Sequence, residues 1–175
     1  MGSMMHTSGL NEAEILHELG ARNRSLSHEY LESARQALQQ LVGKPDLLTG
    51  RQLERKEGGY ARTLLFNDGH MSVYAIVWSP LSQTTIHDHH CSCCFGMLKG
   101  SLEELWFRSI GGDQVVVSER ANRASGYIAC MLPSGPNIHQ MINNGTEEAI
   151  SIHIYGFDHN MHVSSILREY KLASL

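Results

Sequence analysis

The sequence lacks the features of several protein classes. It has no run of about 18 or more apolar residues, and its first residues hold no apolar segment of a secretion signal. It has no block of basic residues and a formal net charge of −4, which argues against nucleic acid and anionic membranes as partners. With 42% apolar and 18% charged residues, the 175-residue chain has an ordinary globular composition, and we expect a cytoplasmic protein.

The sequence also lacks a linker rich in proline or serine and any internal repeat, so we expect one domain and a monomer. The first nine residues, which begin Met1-Gly2-Ser3-Met4, resemble an expression remnant and are expected to be disordered. We expect residues 10–50 to form helices that pack on a barrel of residues 51–175.

A disulfide framework is absent too. Three of the four cysteines, Cys91, Cys93 and Cys94, crowd beside histidines, and Cys130 stands alone. This uneven spacing suits a reducing compartment better than an oxidising one. In an apolar strand, Cys130 is expected to be buried and inert.

Two helices are predicted in the first fifty residues. Asn11 and Glu14 have the spacing of a capping box, and Gly20 can end the short helix that follows. Ser27 is a plausible N-cap for the second helix. Gly43 and Pro45 should end this helix. Its apolar stripe consists of Tyr30, Ala34, Leu38, Leu41 and Val42.

Short β segments separated by glycine-containing turns follow from about residue 51. Their regular spacing predicts an antiparallel sandwich or barrel, so the fold is expected to be mainly β with an N-terminal helical segment. The predicted strands are Tyr60–Phe66, Met71–Trp78, Cys93–Leu98, Ser101–Phe107, Gln114–Glu119, Gly126–Met131, Ile138–Ile142 and Ala149–Tyr155.

A pair of histidines indicates a metal site. In a β-strand, His87 and His89 point the same way while Asp88 points away. Two neutral imidazoles one strand step apart can form half of a first-row metal site, although such pairs are also common on solvated strands. About fifty residues downstream, His139 follows a Pro/Gly turn and enters an apolar strand, where it can supply a third ligand.

These elements resemble the two motifs of the cupin superfamily. The first is HxH followed by a glutamate and a glycine, and the second is a PxG turn that leads to a third histidine and an asparagine. The three histidines fill the ligand positions, and Gly100 and Asn143 fit the flanking ones. Cys94 stands where the glutamate is expected. The resemblance implies a cupin-type antiparallel β-barrel, or jelly roll.

Cysteine in place of that glutamate resembles the cysteine dioxygenases. The segments Tyr60-Ala61-Arg62 and Ser151-Ile152-His153-Ile154-Tyr155 are similar to two further segments of that family. The resemblance implies one Fe(II) per chain on His87, His89 and His139. It implies that Arg62 and Tyr60 bind the substrate, that Tyr155, His153 and Cys94 are catalytic, and that Ser151 supports them. It also implies a thioether between Cys94 and Tyr155, for which Cys93 is an alternative partner.

The chemistry of the ligands agrees with this resemblance. Three neutral histidines leave the +2 charge of Fe(II) uncompensated and leave about three coordination positions open. Such a metal can bind a thiol as thiolate, with O₂ beside it. The resemblance thus implies a small-molecule thiol and O₂ as partners, and the conversion of L-cysteine to cysteine sulfinic acid as the expected reaction.

Several alternatives stay open at this stage. The substrate could be a mercaptoacid such as 3-mercaptopropionate, because His153-Ile154-Tyr155-Gly156 resembles relatives that use it. The protein could also be a metal-binding cupin without turnover, acting as a sensor or in storage. Cys91 and Cys93 could be zinc ligands or packing residues. Arg62 could be a surface ion-pair partner. By strict alternation Cys94 points away from the histidines, and it reaches the site only if the chain turns between residues 90 and 92.

Overall fold

The computed structural model describes residues 11–44 and 46–173, so the expected remnant at residues 1–9 and the predicted helix stop at Pro45 lie outside the described residues. Within the described part there are one helix and ten strands. They are α1 (Glu12–Val42), β1 (Tyr60–Asn67), β2 (Ser72–Trp78), β3 (Ile86–His89), β4 (Cys93–Lys99), β5 (Ser101–Gly111), β6 (Gln114–Ala124), β7 (Ile128–Met131), β8 (His139–Ile142), β9 (Ala149–Tyr155) and β10 (Ile166–Leu172).

The prediction of two N-terminal helices is wrong, because α1 is one continuous helix of 31 residues. The capping box is present. The Glu14 backbone N–H donates to the Asn11 side chain, and the Asn11 backbone N–H donates to the Glu14 side chain. Gly20 lies inside the helix, since one glycine costs only about 1 kcal/mol relative to alanine. The helix ends at Gly43, as predicted. No helix in residues 11–44 and 46–173 is long and apolar enough to cross a bilayer.

The C-terminal half of α1 packs on the outer face of a sheet. Ala34 and Leu38 of the predicted apolar stripe are buried there against apolar side chains of β2, β4 and β9. Gly96 permits this close approach, because a Cβ atom at that position would lie 2.8 Å from Cγ1 of Val42. The apolar side chains of the N-terminal half, Ile15, Leu16, Leu19 and Leu26, are exposed.

The strands form a five-stranded sheet in the order β1-β2-β9-β4-β7 and a closed barrel in the order β10-β3-β8-β5-β6. The neighbours pair antiparallel except β10 and β6, which are joined by a short parallel pairing at Lys171 and Gln114. The prediction of a mainly β barrel with an N-terminal helical segment is thus confirmed. The main apolar core lies on the inner face of the five-stranded sheet and includes Trp78, Phe95 and Met97.

All eight predicted strands are present, but β3 and β10 were not among them. β10 is hard to recognise from the sequence because most of its side chains are exposed and several are charged, including Arg168, Glu169 and Lys171. It matters for the site, because it pairs with β3 and holds that strand in the barrel, with Glu169 opposite His87.

Candidate metal centre

Two neighbouring strands bring three histidines together. His87 and His89 alternate on β3 with Asp88 between them, and both are buried while Asp88 is only half-buried. His139 is the first residue of β8, directly opposite His87 in the antiparallel pairing. The pairing of β3 with β8 therefore brings together two motifs that are about fifty residues apart in the sequence.

The ligand atoms of these histidines converge. One ring nitrogen from each lies within 4.8 Å of the others, and Nε2 of His89 lies 3.0 Å from Nε2 of His139. The opposite nitrogens contact protein atoms. Nδ1–H of His87 donates to the Thr85 carbonyl over 2.9 Å, and Nδ1 of His89 is 3.1 Å from Oγ of Ser165. Hydrogen bonds on Nδ1 orient each ring so that Nε2 faces the centre of the group.

The third histidine is oriented by a buried carboxylate. Nδ1–H of His139 donates to Oε1 of Glu104 over 2.9 Å, and Oε2 of Glu104 accepts from Nε of Arg123 over 2.9 Å. Glu104 is fully buried. Burial works to raise its pKa, but the hydrogen bonds and charges of His139 and Arg123 outweigh that effect and lower it. An ionised Glu104 holds His139 as the tautomer whose Nε2 lone pair is free.

Glu104 is the site residue that the sequence interpretation missed. The resemblance implies three histidine ligands and no carboxylate, with Cys94 where the cupin motif has its glutamate. The carboxylate of Glu104 lies behind the ligand His139. A signal for it existed. Glu104 follows the turn at Gly100 and stands between Leu102 and Leu105 in a strand whose inner face is apolar, a position where an unpaired carboxylate would be costly.

The electrostatics keep His87 and His89 neutral when no cation is bound. Burial, with the nearby His139 as the second cause, lowers the pKa of His87 to about 3 and that of His89 to about 2. Neutral imidazoles are the form that binds metals. Three converging ring nitrogens, each on a ring whose other nitrogen is hydrogen-bonded, fit a divalent first-row metal with positions left open for further ligands.

A second group of polar residues lies on the inner face of the sheet beside this triad. Ser151, His153 and Tyr155 alternate along β9, and all three are buried. Oγ of Ser151 is 2.8 Å from Nε2 of His153, and Nδ1 of His153 is 3.1 Å from the Tyr155 hydroxyl. Nε1–H of Trp78 donates to Oγ of Ser151 over 2.8 Å. The four side chains form a continuous hydrogen-bonded row.

The hydrogen bonds of this row have one fixed donor. Nε1–H of Trp78 can only donate, so Oγ of Ser151 accepts from it. The His153 ring contacts Oγ of Ser151 through Nε2 and the Tyr155 hydroxyl through Nδ1. Burial lowers the pKa of His153 to about 3, so this ring is neutral and carries one proton, which it donates to one of these two oxygens.

The triad and three members of the row, Trp78, His153 and Tyr155, line one cavity of about 70 Å³. Apolar walls come from Ile76, Trp78 and Met141. Tyr60 and Arg62 of β1 also line it, with the Tyr60 ring 4.9 Å from that of Trp78. The Arg62 guanidinium lies 5.5 Å from the centre of the Tyr74 ring, and its Nη2 donates to the Val163 carbonyl over 2.7 Å. The cavity is far smaller than the ~300–1,000 Å³ typical of drug-sized ligands, which favours a small substrate.

The family model described as "Cysteine dioxygenase type I" matches residues 53–161, more than half of the chain. The chain belongs to the cysteine dioxygenase type I family. Membership implies an enzyme of the dioxygenase type that acts with O₂ on a small molecule, and the histidine triad could bind its metal. The predicted resemblance to this family, and with it the cupin fold, is confirmed.

Solved structures with similar architecture share little sequence. A conserved Klebsiella pneumoniae protein with a double-stranded β-helix domain is 19% identical over 61% of this chain and 84% of its own, with a TM-score of 0.48. The protein TT1209 from Thermus thermophilus is 20% identical over 60% and 90%, with a TM-score of 0.46. An oxalate oxidase in complex with glycolate is 16% identical over 61% and 56%, with a TM-score of 0.47.

Within this cysteine dioxygenase fold, the structure corrects the position of one predicted catalytic residue. Cys94 does not line the cavity. Its side chain lies on the outer face of the sheet, in the apolar cluster beneath α1. Alternation along β4 places Cys93, Phe95 and Met97 on the inner face, so Cys93 is the cysteine that lines the cavity. The turn between His89 and Cys93 does not reverse this alternation.

Asn143, which fits the second cupin motif, has a structural position. Its side-chain amide donates to the carbonyls of Trp78, Ser79 and Glu147, and its oxygen accepts from the Gly145 N–H. It ties the end of β8 to the end of β2, which carries Trp78 into the cavity. Gly100, in the first motif, has φ of +72° and packs against Ala149, so only glycine suits that turn.

Proposed function

We propose that the protein is an iron-dependent thiol dioxygenase that oxidises L-cysteine with O₂ to cysteine sulfinic acid. The observation that carries the proposal is the convergence of the three histidines and the Arg62 guanidinium on one small cavity. Membership in the cysteine dioxygenase type I family supports the reaction class. Iron is favoured because three imidazoles without a carboxylate leave the full charge of the metal for an anionic thiolate and O₂.

When bound, Fe(II) would supply the site where the thiol ionises and where O₂ meets its sulfur. His87, His89 and His139 would hold it through Nε2, with Glu104 and Ser165 fixing the rings from behind. The protein contributes orientation and electrostatics, which are large effects when they are organised before the reaction.

Arg62 is the residue that we assign to the substrate carboxylate. It reaches the cavity from β1, the edge strand of the five-stranded sheet, whereas the three histidines come from β3 and β8 of the barrel. A planar guanidinium can hold a carboxylate with two parallel hydrogen bonds, which fixes the substrate in orientation as well as in position. Tyr60, stacked on Trp78, forms the wall beside it.

Tyr155 is the residue that we assign to proton and hydrogen-bond donation at the reacting sulfur and oxygen. Its ring centre lies 6.0 Å from that of His89, so the hydroxyl is beside the metal ligands. Burial, together with the nearby Cys93, raises the pKa of Tyr155 well above its ordinary value, which keeps the phenol protonated. His153, Ser151 and Trp78 hold the hydroxyl in place.

A mercaptoacid such as 3-mercaptopropionate is the second candidate substrate. One observation favours it. Nη2 of Arg62 is already bonded to the Val163 carbonyl, so fewer of its donors are free for the carboxylate of an amino acid. A mercaptoacid that lacks the amine can place its carboxylate elsewhere in the cavity.

Oxygen uptake by iron-loaded protein with L-cysteine, 3-mercaptopropionate and cysteamine tests the proposal, with the products identified by mass spectrometry. We expect uptake with L-cysteine and formation of cysteine sulfinic acid. Zinc-loaded protein and the His139→Ala variant serve as controls and should be inactive. Preference for 3-mercaptopropionate would establish the second candidate. An iron-loaded protein that consumes no oxygen with any of the three thiols would indicate a metal-binding protein without turnover and refute the proposal.

A further inference from the structure

Two cysteines that take no part in the proposed reaction face each other on the outer side of the sheet. Cys94 of β4 is directly opposite Cys130 of β7 in the antiparallel register. Both side chains belong to the apolar cluster beneath α1, where Cys94 is fully buried and Cys130 is half-buried. The two thiols are close enough to change each other's pKa, and Sγ of Cys130 lies 3.7 Å from the Leu31 carbonyl oxygen.

The ladder shows which kind of pair this is. The Met97 N–H donates to the Tyr127 carbonyl over 2.9 Å, which makes that pair a hydrogen-bonded one. Hydrogen-bonded and non-hydrogen-bonded pairs alternate in an antiparallel ladder, so Phe95 with Ala129 is hydrogen-bonded and Cys94 with Cys130 is not. In non-hydrogen-bonded pairs the Cα atoms are about 4.5 Å apart, and disulfides span Cα separations of about 4.4–6.8 Å.

We propose that Cys94 and Cys130 are an oxidation site, where hydrogen peroxide converts the facing thiols to a disulfide between β4 and β7. Cys130 attacks the peroxide and becomes a sulfenic acid with release of water. The Cys94 thiol then attacks that sulfur, the S–S bond forms and a second water leaves. Two thiols and one peroxide thus give one disulfide and two waters. This proposal does not depend on the proposed dioxygenase activity.

The surroundings assign these two roles. Cys130 is accessible to solvent, and the Arg35 guanidinium lies beside it, with Nη1 3.5 Å from the Ile128 carbonyl. The neighbouring Cys94 thiol lowers the pKa of Cys130 against the effect of burial, and the charge of Arg35 acts in the same direction. Cys94 has the opposite character, since the Cys130 thiol and burial both raise its pKa. An accessible cysteine with thiolate character beside a buried partner thiol is the arrangement of a peroxide-sensitive pair.

The other cysteines cannot form this bond. Cys93, next to Cys94, lies opposite Met131 and points to the inner face. Cys91 is in the inner core with it. The sheet therefore separates the Cys94–Cys130 pair from the cavity. Disulfide formation at this pair and the thiol oxidation proposed for the cavity give different products, so the two reactions can be told apart.

The test is a peptide map of the full-length protein, reduced first and then treated with hydrogen peroxide under denaturant-free conditions. We expect a loss of two hydrogen atoms that dithiothreitol reverses, in a cross-linked peptide whose fragments assign the bond to Cys94 and Cys130. Cys130→Ser should abolish the species, while the control Cys91→Ser should retain it. Since the bond closes a loop with 35 residues between the two cysteines, the oxidised protein should also have a Tm higher by about 5–10 °C.

The map of the wild-type protein decides the matter even if a variant fails to fold. Peroxide treatment that leaves Cys94 and Cys130 as free thiols would overturn the proposal. So would conversion of Cys130 to sulfinic or sulfonic acid without a disulfide, or a disulfide that joins Cys130 to Cys91 or Cys93.

Discussion

Cys93 and Tyr155 lie directly opposite each other on β4 and β9, and both side chains face the cavity. Burial raises the pKa of the Cys93 thiol well above its ordinary value, and the nearby Tyr155 hydroxyl acts in the opposite direction. The predicted thioether was assigned to Cys94, whose side chain is on the other side of the sheet. A bond from the sulfur to the phenol ring, if the enzyme forms one, must therefore start from Cys93.

We expect a Cys93–Tyr155 thioether to accumulate during turnover with iron and O₂, because oxidant, thiol and phenol meet in one cavity. The bond joins Sγ to the ring carbon beside the hydroxyl and removes two hydrogen atoms, which O₂ accepts. Peptide mapping after turnover should show a mass decrease that dithiothreitol does not reverse. Cys93→Ser should abolish the product and Cys94→Ser should not. A thioether that persists in Cys93→Ser would contradict the register of β4.

Removal of one ligand should abolish metal retention without unfolding the protein. We expect wild-type protein to keep about one iron per chain through gel filtration under anaerobic conditions, and His139→Ala to keep almost none. His90→Ala is the matched control, because His90 follows the HxH pair but bonds to the Ser164 carbonyl instead. Metal analysis and far-ultraviolet circular dichroism measure both quantities. Full iron occupancy in His139→Ala would refute the ligand assignment.

Glu104→Gln tests the carboxylate behind His139. Glutamine keeps the size of the side chain but removes the charge that fixes the tautomer of His139 and pairs with Arg123. We expect metal affinity to fall by about 10–100-fold, the usual effect of losing such an outer partner. Titration with Fe(II) measures the metal affinity. Titration with zinc measures it again with a metal that has no redox chemistry. Glu103→Gln, on the neighbouring position that pairs with Arg120, should bind metal like the wild type.

Substrate selectivity should depend on Arg62. Hydrogen bonds to charged groups contribute about 1.5–3 kcal/mol, so Arg62→Ala should lower kcat/KM for L-cysteine by about one to two orders of magnitude. Cysteamine, which has no carboxylate, should be a poor substrate whose kcat/KM hardly changes. Steady-state kinetics with both thiols separates the roles. Equal losses for the two would show that Arg62 acts structurally, through its bond to the loop at Val163.

Stability of the metal-free protein should fall on acidification because His153 is buried and neutral. In the unfolded chain histidine takes up a proton near pH 6.5, whereas the pKa of His153 in the fold is about 3. Between these values the unfolded state binds more protons, so unfolding becomes easier as pH falls, by up to about 1.4 kcal/mol per pH unit. Urea unfolding at pH 7, 6 and 5 should show a shallower dependence in His153→Gln. The control, exposed His17→Gln on α1, should follow the wild type.

The sequence predicted the parts of the site that depend on local periodicity. The two-residue spacing of His87 and His89 requires a shared face on a strand, and the turn before His139 delivers a third imidazole. The sequence did not predict contacts between strands that are far apart in the chain. Nothing in the spacing shows that Glu104 of β5 lies behind His139 of β8, because that contact depends on the register of two strands.

The errors have physical causes as well. The motif match counted residues forward from the histidines and selected Cys94, whereas the pleat of β4 is set by Phe95 and Met97, whose apolar side chains fill the core. Gly20 can end a helix, but α1 continues through it, because the capping box and the packing of the C-terminal half stabilise the whole helix. Strand β10 has few buried residues, so its sequence does not show the alternation of apolar and polar residues that predicts a strand.

The pairing of His87 with His139 has a consequence for folding kinetics. These ligands become neighbours only after β3 and β8 have found their register, so a folding chain has no metal site until this long-range contact exists. A metal that binds the native state alone stabilises it by mass action. Because the site is absent from earlier states, that stabilisation should appear as slower unfolding and leave the folding rate nearly unchanged. The metal would then set how long the native barrel persists once it has formed.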